Sequence, residues 1–195
     1  NALAISGLMV EHLGGRSVKP YQPSGLWKET SNRGFEQDHG SSLYRRSVYT
    51  YWKRSVPPPN MFAIDAPTRE TCIVRRQRTN TPLMALVMLN DPTFVEAART
   101  LAQRAMKVVA VKPQERIDLM FEMATARRPI AAEQAAMFTV YQRQVGVFRK
   151  NNDAAMKLLA FGESARDETL DATEHAALTV VASIILNLDE TITKE

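Results

Sequence analysis

The sequence predicts a mainly α protein, a helical bundle with a long, ordered, irregular insertion rich in Pro, Arg and aromatic residues. Apolar residues recur at helical spacing from Thr81 onward, and no alternation of strand and helix patterns is present. The segment from Gly14 to Pro92 instead holds eight of the ten prolines, both tryptophans and nine arginines. The length of 195 residues fits one domain, so we expect a single helical domain over residues 1–195 that contains the insertion at about residues 14–92.

The N-terminal residues predict a first helix from Ala2 to Leu13. The pair Gly14-Gly15 is a typical stop signal, because glycine readily adopts the left-handed conformation that follows a helix. The chain begins at Asn1 without the basic and apolar leader of a signal peptide. We therefore expect it to be a piece of a longer protein.

The first part of the insertion is predicted to be an extended strap. Lys19 and Gln22 each precede a proline, which disfavours helical backbone angles at both residues. Trp27 follows shortly after, and we expect its large apolar ring to anchor the strap on the core.

The stretch from Leu43 to Arg54 fits two patterns. Its aromatic and β-branched residues alternate as in a strand, which favours extended structure. A helical face is also present, formed by Leu43, Ser47, Val48 and Tyr51. A short helix and an irregular strand therefore both remain open, and Pro57-Pro58-Pro59 then predicts a polyproline stretch.

Helical order returns at Thr81. Thr81-Pro82 and Asn90-Asp91-Pro92 both combine a capping side chain with a proline at the first helical position. They predict two consecutive helices, or one helix bent at Pro92. Pro113 predicts the start of another helix, which ends at Arg127-Arg128-Pro129.

The C-terminal third predicts three more helices. The first runs from Ala131 to Lys150, a short one capped by Asp153 follows, and Asp171 with Glu174 gives the last helix a capping-box start. The longest apolar run, Ala176 to Leu188, is shorter than the ~20 residues of a membrane span. We expect a buried helix there and no membrane span.

The net charge of +4 is unevenly distributed. Gly14 to Pro92 carries twelve Lys and Arg against six Asp and Glu, whereas the rest of the chain carries thirteen against fifteen. Such an excess can mark an anionic partner, or it can reflect arginines that tie loops down through carbonyls and carboxylates. The second interpretation is preferred. No nucleic-acid-binding motif accompanies the charge, so we expect no nucleic acid partner.

Cysteine and histidine spacing signals no metal or haem site in this chain. Cys72 is the only cysteine, and His12, His39 and His175 lie far apart and form no HExxH motif. We therefore expect no cofactor here and an inert, half-buried thiol at Cys72. The seven methionines at positions 84, 88, 106, 120, 123, 137 and 156 fall on predicted helices and are interpreted as core packing rather than haem ligands.

Several stretches, in one order, resemble the planctomycete-specific C-terminal domain of unknown function. The first reads GGRSVKPYQPSGLW, and the others are Asp38-His39-Gly40, Leu43 to Lys53, Asp65 to Glu70, Arg75 to Asn90, Phe161-Gly162-Glu163 and Leu186 to Thr193. The resemblance spans essentially the whole chain. One departure is Ile130, which stands where a capping Thr would be expected.

The resemblance implies a context rather than a reaction. Proteins of this family are large and secreted, and they commonly carry a c-type cytochrome module near the N-terminus, with this domain at the C-terminal end. An extracytoplasmic location, periplasmic or secreted, is implied, with any haem held by the absent N-terminal module. The absent N-terminal domains of the same protein are the implied partners, and the family has no established activity.

Asp38-His39 has the composition of an acid/base pair, with a carboxylate able to orient an imidazole. The alternative is an Asx-type turn in which His39 hydrogen-bonds a loop. Adjacent side chains seldom face each other productively, so the turn is the preferred interpretation and no catalytic residue is assigned.

Three arginines, Arg75, Arg76 and Arg78, precede the predicted helix start at Thr81. Guanidinium forks together with helix N-terminal amides suit a phosphate, sulfate or carboxylate group. The alternative is that these arginines pair with Asp65, Glu70 or Asp91 and pin the loop.

Two functions are compatible with these features. In the first, the chain is a non-catalytic interaction module whose irregular segment docks on the N-terminal regions of the same protein or on another chain. In the second, the segment binds an anionic or sulfated carbohydrate, as a binding site or as part of an enzyme site completed elsewhere. The side chains expected to bind it are His39, Arg45, Arg75, Arg76, Trp27 and Trp52. The first function is preferred, and no enzymatic activity is expected of this chain alone.

Overall fold

The computed structural model describes residues 1–29, 34–75, 79–108 and 112–193. Within these ranges there are nine α-helices, three short 3-10 helices and no β-strand, so the predicted mainly α bundle is confirmed. The α-helices are α1 (Ala2–Ser6), α2 (Pro59–Ala63), α3 (Pro82–Asn90), α4 (Pro92–Val108), α5 (Pro113–Thr125), α6 (Ala131–Lys150), α7 (Asn152–Leu159), α8 (Ala172–Leu186) and α9 (Asp189–Ile192).

The chain forms two compact units. The bundle unit comprises Asn1–Leu8 and Met88–Glu195, and the insertion unit comprises Met9–Val87. Helices α4 to α9 and α1 belong to the bundle unit, whereas α2 and the three 3-10 helices belong to the insertion unit. The boundary between the two units falls within α3, between Val87 and Met88.

Helix α8 is the centre of the bundle unit, because α4, α5, α6 and α7 all pack against it. Its sequence is apolar on every side, which is typical of a helix surrounded by others. Leu178, Val181 and Ile185 on α8 are fully buried. Small buried residues on α4, among them Ala98 and Ala102, suit the close packing of α4 against α8.

The two consecutive helices predicted at Thr81 and Asp91 are confirmed. The Thr81 hydroxyl accepts a hydrogen bond of 3.2 Å from Met84 N at the start of α3. One carboxylate oxygen of Asp91 accepts a hydrogen bond of 2.9 Å from Thr93 N at the start of α4. Both caps satisfy backbone donors that the first turn of a helix leaves open.

The predicted start of the last long helix is also confirmed, since Asp171 Oδ1 accepts a hydrogen bond of 2.7 Å from Glu174 N. The cap predicted for the preceding helix was wrong by two residues. Asn151, not Asp153, caps α7, with a bond of 3.1 Å from Ala154 N. Asp153 instead lies in the first turn, where its negative charge favours the helix dipole.

The helix predicted from Ala2 to Leu13 is shorter than expected. It ends at Ser6, because Gly7 adopts a left-handed conformation with φ of 80° and terminates α1. Beyond it, Val10 N donates a hydrogen bond of 2.9 Å to the carbonyl of Tyr44. This non-local bond holds the following residues in an extended form that helical spacing alone did not indicate.

The insertion unit is held by loop hydrogen bonds rather than by regular elements. The strap predicted as extended lies beside the second half of the Leu43 to Arg54 stretch. Val18 N donates to Tyr49 O, and Tyr51 N donates to Val18 O, both at 2.8 Å. The strap is thereby pinned at a buried residue, Val18.

The open choice for the Leu43 to Arg54 stretch resolves into short 3-10 turns. These are Gly40–Tyr44 and Ser47–Tyr49, with isolated bridge residues between and after them. The polyproline prediction applies to fewer residues than expected, because Pro59 already begins α2. Among the described residues, none of the helices combines the length and apolar character that a membrane span requires.

Candidate functional site

Arg45, one of the predicted binding residues, braces the loops around it. It follows the 3-10 turn Gly40–Tyr44, and 9% of its surface is exposed. Its guanidinium donates to three backbone carbonyls, from Nη1 to Arg16 at 3.1 Å and from Nη2 to His12 at 2.8 Å and Gly14 at 2.5 Å. Five donors in a rigid fork make arginine suited to such loop bracing.

An aromatic ring completes this arrangement. The Arg45 guanidinium carbon lies 3.9 Å from the centroid of the Tyr49 ring, a cation–π contact. The Tyr49 hydroxyl in turn accepts a hydrogen bond of 2.9 Å from Gly14 N. Gly14 and Gly15 both have positive φ, which lets this turn wrap around the guanidinium. The glycine pair therefore forms this turn. The prediction that it ends the first helix was wrong, because α1 already ends at Ser6.

Beside Arg45 lies an open surface pocket of about 410 Å³ within the insertion unit. Two cationic or titratable side chains and two hydroxyls join Arg45 in its wall, together with small apolar residues. The lining residues are Val10, His12, Gly15, Arg16, Val18, Ser41, Ser42 and Arg45. Every polar side chain in that wall can donate a hydrogen bond.

Trp27 is buried and holds the strap through contacts within the insertion unit. Its ring meets Phe35 edge to face at a centroid distance of 5.2 Å and lies 5.7 Å from the ring of Tyr51. The ammonium group of Lys53 lies 4.5 Å from the Trp27 ring centroid, and that of Lys19 lies at 5.7 Å. These contacts combine apolar burial with cation–π attraction.

Trp52 has a separate set of contacts. Its indole Nε1 donates a hydrogen bond of 3.1 Å to Thr68 O, and the guanidinium carbon of Arg69 lies 4.8 Å from its ring centroid. Arg69 has a positive φ of 64°, so the chain makes a tight turn at this point. The ring is half-buried and braces the loop that follows α2.

The carboxylate of Asp38 is not hydrogen-bonded to the imidazole of His39. Asp38 Oδ2 accepts a hydrogen bond of 2.8 Å from Lys19 N, and its Oδ1 lies 3.5 Å from Arg16 Nη2. The carboxylate is therefore directed to the strap. His39 is exposed at the start of the Gly40–Tyr44 turn, where its side chain makes no capping bond.

The basic run before α3 is described only in part. Arg75 is exposed, whereas Arg76 and Arg78 lie outside the described residues. Asp65, one of the carboxylates considered as their partner, accepts hydrogen bonds of 2.7 Å from both Thr79 N and Thr79 Oγ1. Asp65 therefore contributes to loop structure through Thr79.

Of the six predicted ligand residues, Arg45 is the one that lines the described pocket of the insertion unit. Trp27 and Trp52 each have their own stacking partners, and His39 and Arg75 are exposed. The prediction about Cys72 was wrong in one respect, since the thiol is exposed rather than half-buried.

The bundle unit contains a buried charged cluster that sequence reasoning missed. Glu96 and Arg99, three residues apart on α4, are both fully buried, and Ser164 N donates a hydrogen bond of 2.6 Å to Glu96 Oε1. Arg99 Nη2 donates to Ser164 O at 2.7 Å and also contacts the Ser164 hydroxyl. The nearby motif Phe161-Gly162-Glu163 was the sequence signal that could have pointed to this cluster.

His175 on α8 lies next to this cluster. Its Nε2 is 3.0 Å from Arg99 O, a geometry in which the neutral imidazole donates to the carbonyl. Burial lowers the pKa of His175 below its ordinary value of 6.5, because a charged imidazole would be desolvated there. Glu96, Arg99 and His175 are all fully buried, so the cluster is enclosed within the bundle unit.

A second pocket, of about 480 Å³, lies in the bundle unit between α6 and the start of α8. Tyr141 in its wall donates a hydrogen bond of 3.3 Å to Glu174 Oε1, and Arg116 also pairs with Glu174. Desolvation, followed by the charge of Glu174, raises the pKa of Tyr141 to about 12. The phenol therefore stays protonated at neutral pH.

Comparison with known proteins identifies a family but supplies no activity. The family model described as PSD1, Protein of unknown function (DUF1553), matches residues 1–141. No curated protein and no solved structure matches the chain. The resemblance carried by the sequence motifs is thus confirmed at the level of a domain of unknown function.

Proposed function

The chain belongs to the PSD1 family of proteins of unknown function (DUF1553), and from that premise we propose that it is a non-catalytic interaction module. The insertion unit would be the part that docks on a partner. The docking surface would be apolar and would include the outward face of α3.

One observation carries this proposal. Among the described residues of the insertion unit, eight large apolar side chains are exposed and six are buried. The exposed ones are Leu13, Val48, Tyr51, Phe62, Ile73, Val74, Leu83 and Leu86. Single exposed apolar residues are ordinary, whereas neighbouring ones that form a patch mark a protein–protein surface.

The pair on α3 has the clearest geometry. Leu83 and Leu86 are 61% and 57% exposed, and their spacing of three residues places them on one helix face. Met84, on another face, is 3% exposed. Burying one leucine contributes ~1.5–3 kcal/mol, so covering this pair could supply a large part of a docking free energy.

The proposed partner is the N-terminal region of the same, longer protein. The family resemblance supports this partner, because related proteins are large and carry the domain at their C-terminal end. On the same basis we place the protein outside the cytoplasm of a planctomycete, with a cytochrome c module in that N-terminal region.

The proposal is tested by measuring association between this chain and the separately produced N-terminal region, by sedimentation velocity or calorimetry. The test variant is Leu83→Gln with Leu86→Gln. We expect it to weaken binding at least tenfold, because two apolar anchors are lost. Val147→Gln is the matched control, since it removes an exposed aliphatic side chain of the bundle unit, outside the proposed docking surface.

Two results would overturn the docking proposal. One is the absence of measurable association at protein concentrations of about 100 μM, well above the concentrations at which specific interfaces of standard size form. The other is an equal loss of binding in the α3 double variant and in Val147→Gln. Circular dichroism of each variant separates lost binding from lost folding.

The second candidate function is the binding of an anionic or sulfated carbohydrate by the insertion unit. The observation in its favour is the pocket lined by Arg45 in a segment with excess positive charge. The predicted contribution of Arg75 and Arg76 stays a prediction. A glycan array probed with the chain and with Arg75→Ala/Arg76→Ala tests it, since loss of the hits in the variant would support that contribution.

A further inference from the structure

We infer that the pocket beside Arg45 binds a sulfate or phosphate monoester carried on a group the size of one sugar ring. The inference rests on the second candidate function for its class of ligand, and it is independent of the docking proposal. It assigns the site to His12, Arg16, Ser41, Ser42 and Arg45.

The first argument is that Arg45 forms no ion pair among the described residues. Its guanidinium is about nine-tenths buried, and the three acceptors that it contacts are neutral carbonyl oxygens. Its Nε, moreover, has no hydrogen-bond partner among the described residues. A buried cation without a carboxylate partner favours an anion nearby, because the desolvation cost is then offset by attraction.

The second argument is the availability of Arg16. Its side chain is 85% exposed, and its only charged contact in the described structure is Asp38 at 3.5 Å. Asp38 is held separately through Lys19 N at 2.8 Å, so it keeps its place when Arg16 turns. Arg16 can therefore exchange this weak exposed pair for a fork-shaped contact with an oxyanion in the pocket.

The third argument is the composition of the remaining wall. Ser41 and Ser42 supply two hydroxyl donors, and His12 supplies an imidazole. Val10 and Val18 supply apolar surface that suits the C–H face of a ring. The volume of about 410 Å³ lies within the range of small-molecule sites and exceeds the size of an isolated inorganic ion.

The test is a two-dimensional NMR titration of the full chain with glucose 6-sulfate and glucose 6-phosphate. We expect saturable shifts at the amides of Gly14, Gly15, Ser41 and Ser42. Glucose alone should leave these amides unchanged. Free sulfate and free phosphate should shift the same amides but bind with weaker affinity. This difference in affinity distinguishes a sugar ester from an inorganic ion as the preferred ligand.

Arg16→Gln is the test variant, because its exposed side chain is not required for the carbonyl contacts of Arg45. Loss of one charge-assisted contact should weaken binding about tenfold or more. Arg46→Gln is the charge-matched control, since Arg46 is exposed in the same unit and does not line the pocket. It should bind as the unchanged chain does.

Three results would overturn the inference. They are the absence of saturable shifts with any of the four anions, equal shifts with glucose alone, and equal weakening by Arg46→Gln and Arg16→Gln. If glycan binding is lost in Arg75→Ala/Arg76→Ala but kept in Arg16→Gln, the pocket assignment fails while the second candidate function stands.

Discussion

Arg99 on α4 donates a hydrogen bond of 2.7 Å to the carbonyl oxygen of Ser164, 65 residues later in the chain. Glu96 completes the connection by accepting from Ser164 N, so a buried acid and a buried base on one helix bind both backbone groups of one loop residue. Buried charges of this kind require their partners, because each would otherwise be desolvated without compensation. The stability of the bundle unit therefore depends on this loop.

Gly162→Ala should be strongly destabilising. A Cβ at this position would overlap the carboxylate of Glu96, and φ of +83° disfavours any residue with a side chain. We expect a loss of about 3 kcal/mol or more in the free energy of unfolding, measured by urea titration. Gly146→Ala on α6 is the control.

That control should behave in the opposite way. Nothing lies within 4 Å of a Cβ added at Gly146, and alanine is favoured over glycine inside a helix by roughly 0.5–1 kcal/mol. Comparable losses in the two variants would show that the contact with Glu96 is unimportant.

His175 should make the protein less stable in mild acid. Because burial lowers its pKa below 6.5 in the folded state, the unfolded state binds more protons in the interval between the two values. Stability is therefore full above the ordinary pKa and falls as the pH decreases through about 6.5 toward the folded value. Urea midpoints at pH 5, 6, 7 and 8 measure this.

His175→Gln should remove most of that slope, since an amide can still donate to Arg99 O but cannot titrate. Carboxylates affect the stability of the protein over a different pH interval. The pKa of Glu133 is lowered to about 2 by Arg127 and by Ile130 N, so its contribution is lost only as the pH falls below its ordinary value of 4.5. An unchanged slope between pH 5 and 7 in His175→Gln would contradict the assignment.

Arg127→Lys should lower Tm more than Arg128→Lys. The guanidinium of Arg127 contacts Glu133 at 2.7 and 2.8 Å and Glu190 at 2.8 Å, and it lies 4.8 Å from the Phe121 ring centroid. Lysine cannot reproduce this planar fork. Arg128 has one exposed pair with Glu122 at 3.9 Å, which is worth little.

The same comparison should depend on salt, because the Arg127 network is partly exposed. The difference in Tm between the two lysine variants should shrink from 0.05 to 1 M NaCl as the Debye length falls from above ~10 Å to ~3 Å. Equal Tm values for both variants at low salt would show that the network contributes nothing.

Arg45→Lys should destabilise the insertion unit. One ammonium group cannot reach carbonyls of three residues and stack on Tyr49, and unmet buried acceptors cost free energy. We expect a loss of about 2–4 kcal/mol and faster tryptic cleavage after Arg16. Limited proteolysis with mass spectrometry checks this, with Arg46→Lys as the control for a neighbouring exposed arginine. Unchanged cleavage in Arg45→Lys would contradict the bracing role.

Local signals in the sequence were sufficient for most of the bundle unit. Thr81, Asp91 and Asp171 each act on a backbone amide two or three residues away, so their caps could be predicted from adjacent letters. Ile130 shows the limit of such signals. A Thr cap was expected there, yet Glu133 Oε2 accepts the hydrogen bond of 2.9 Å from Ile130 N and supplies half of a capping box.

The contacts of the insertion unit were beyond sequence reasoning for a physical reason. The acceptors of Arg45 lie 29 to 33 residues earlier in the chain, and no short motif specifies a guanidinium with three distant carbonyls. The excess of arginine did suggest loop bracing, which Arg45 performs. Its place in a pocket with His12 and two serines depended on how the turn at Gly14 closes.

The enclosure of Ser164 by α4 also has a kinetic consequence. Its amide proton is shared with a carboxylate that solvent does not reach, so exchange with deuterium requires both partners to separate. The amide of Ser164 should consequently exchange as slowly as the protected amides of α4, although it lies in a short loop with no regular secondary structure. A surface turn of that length would ordinarily exchange orders of magnitude sooner.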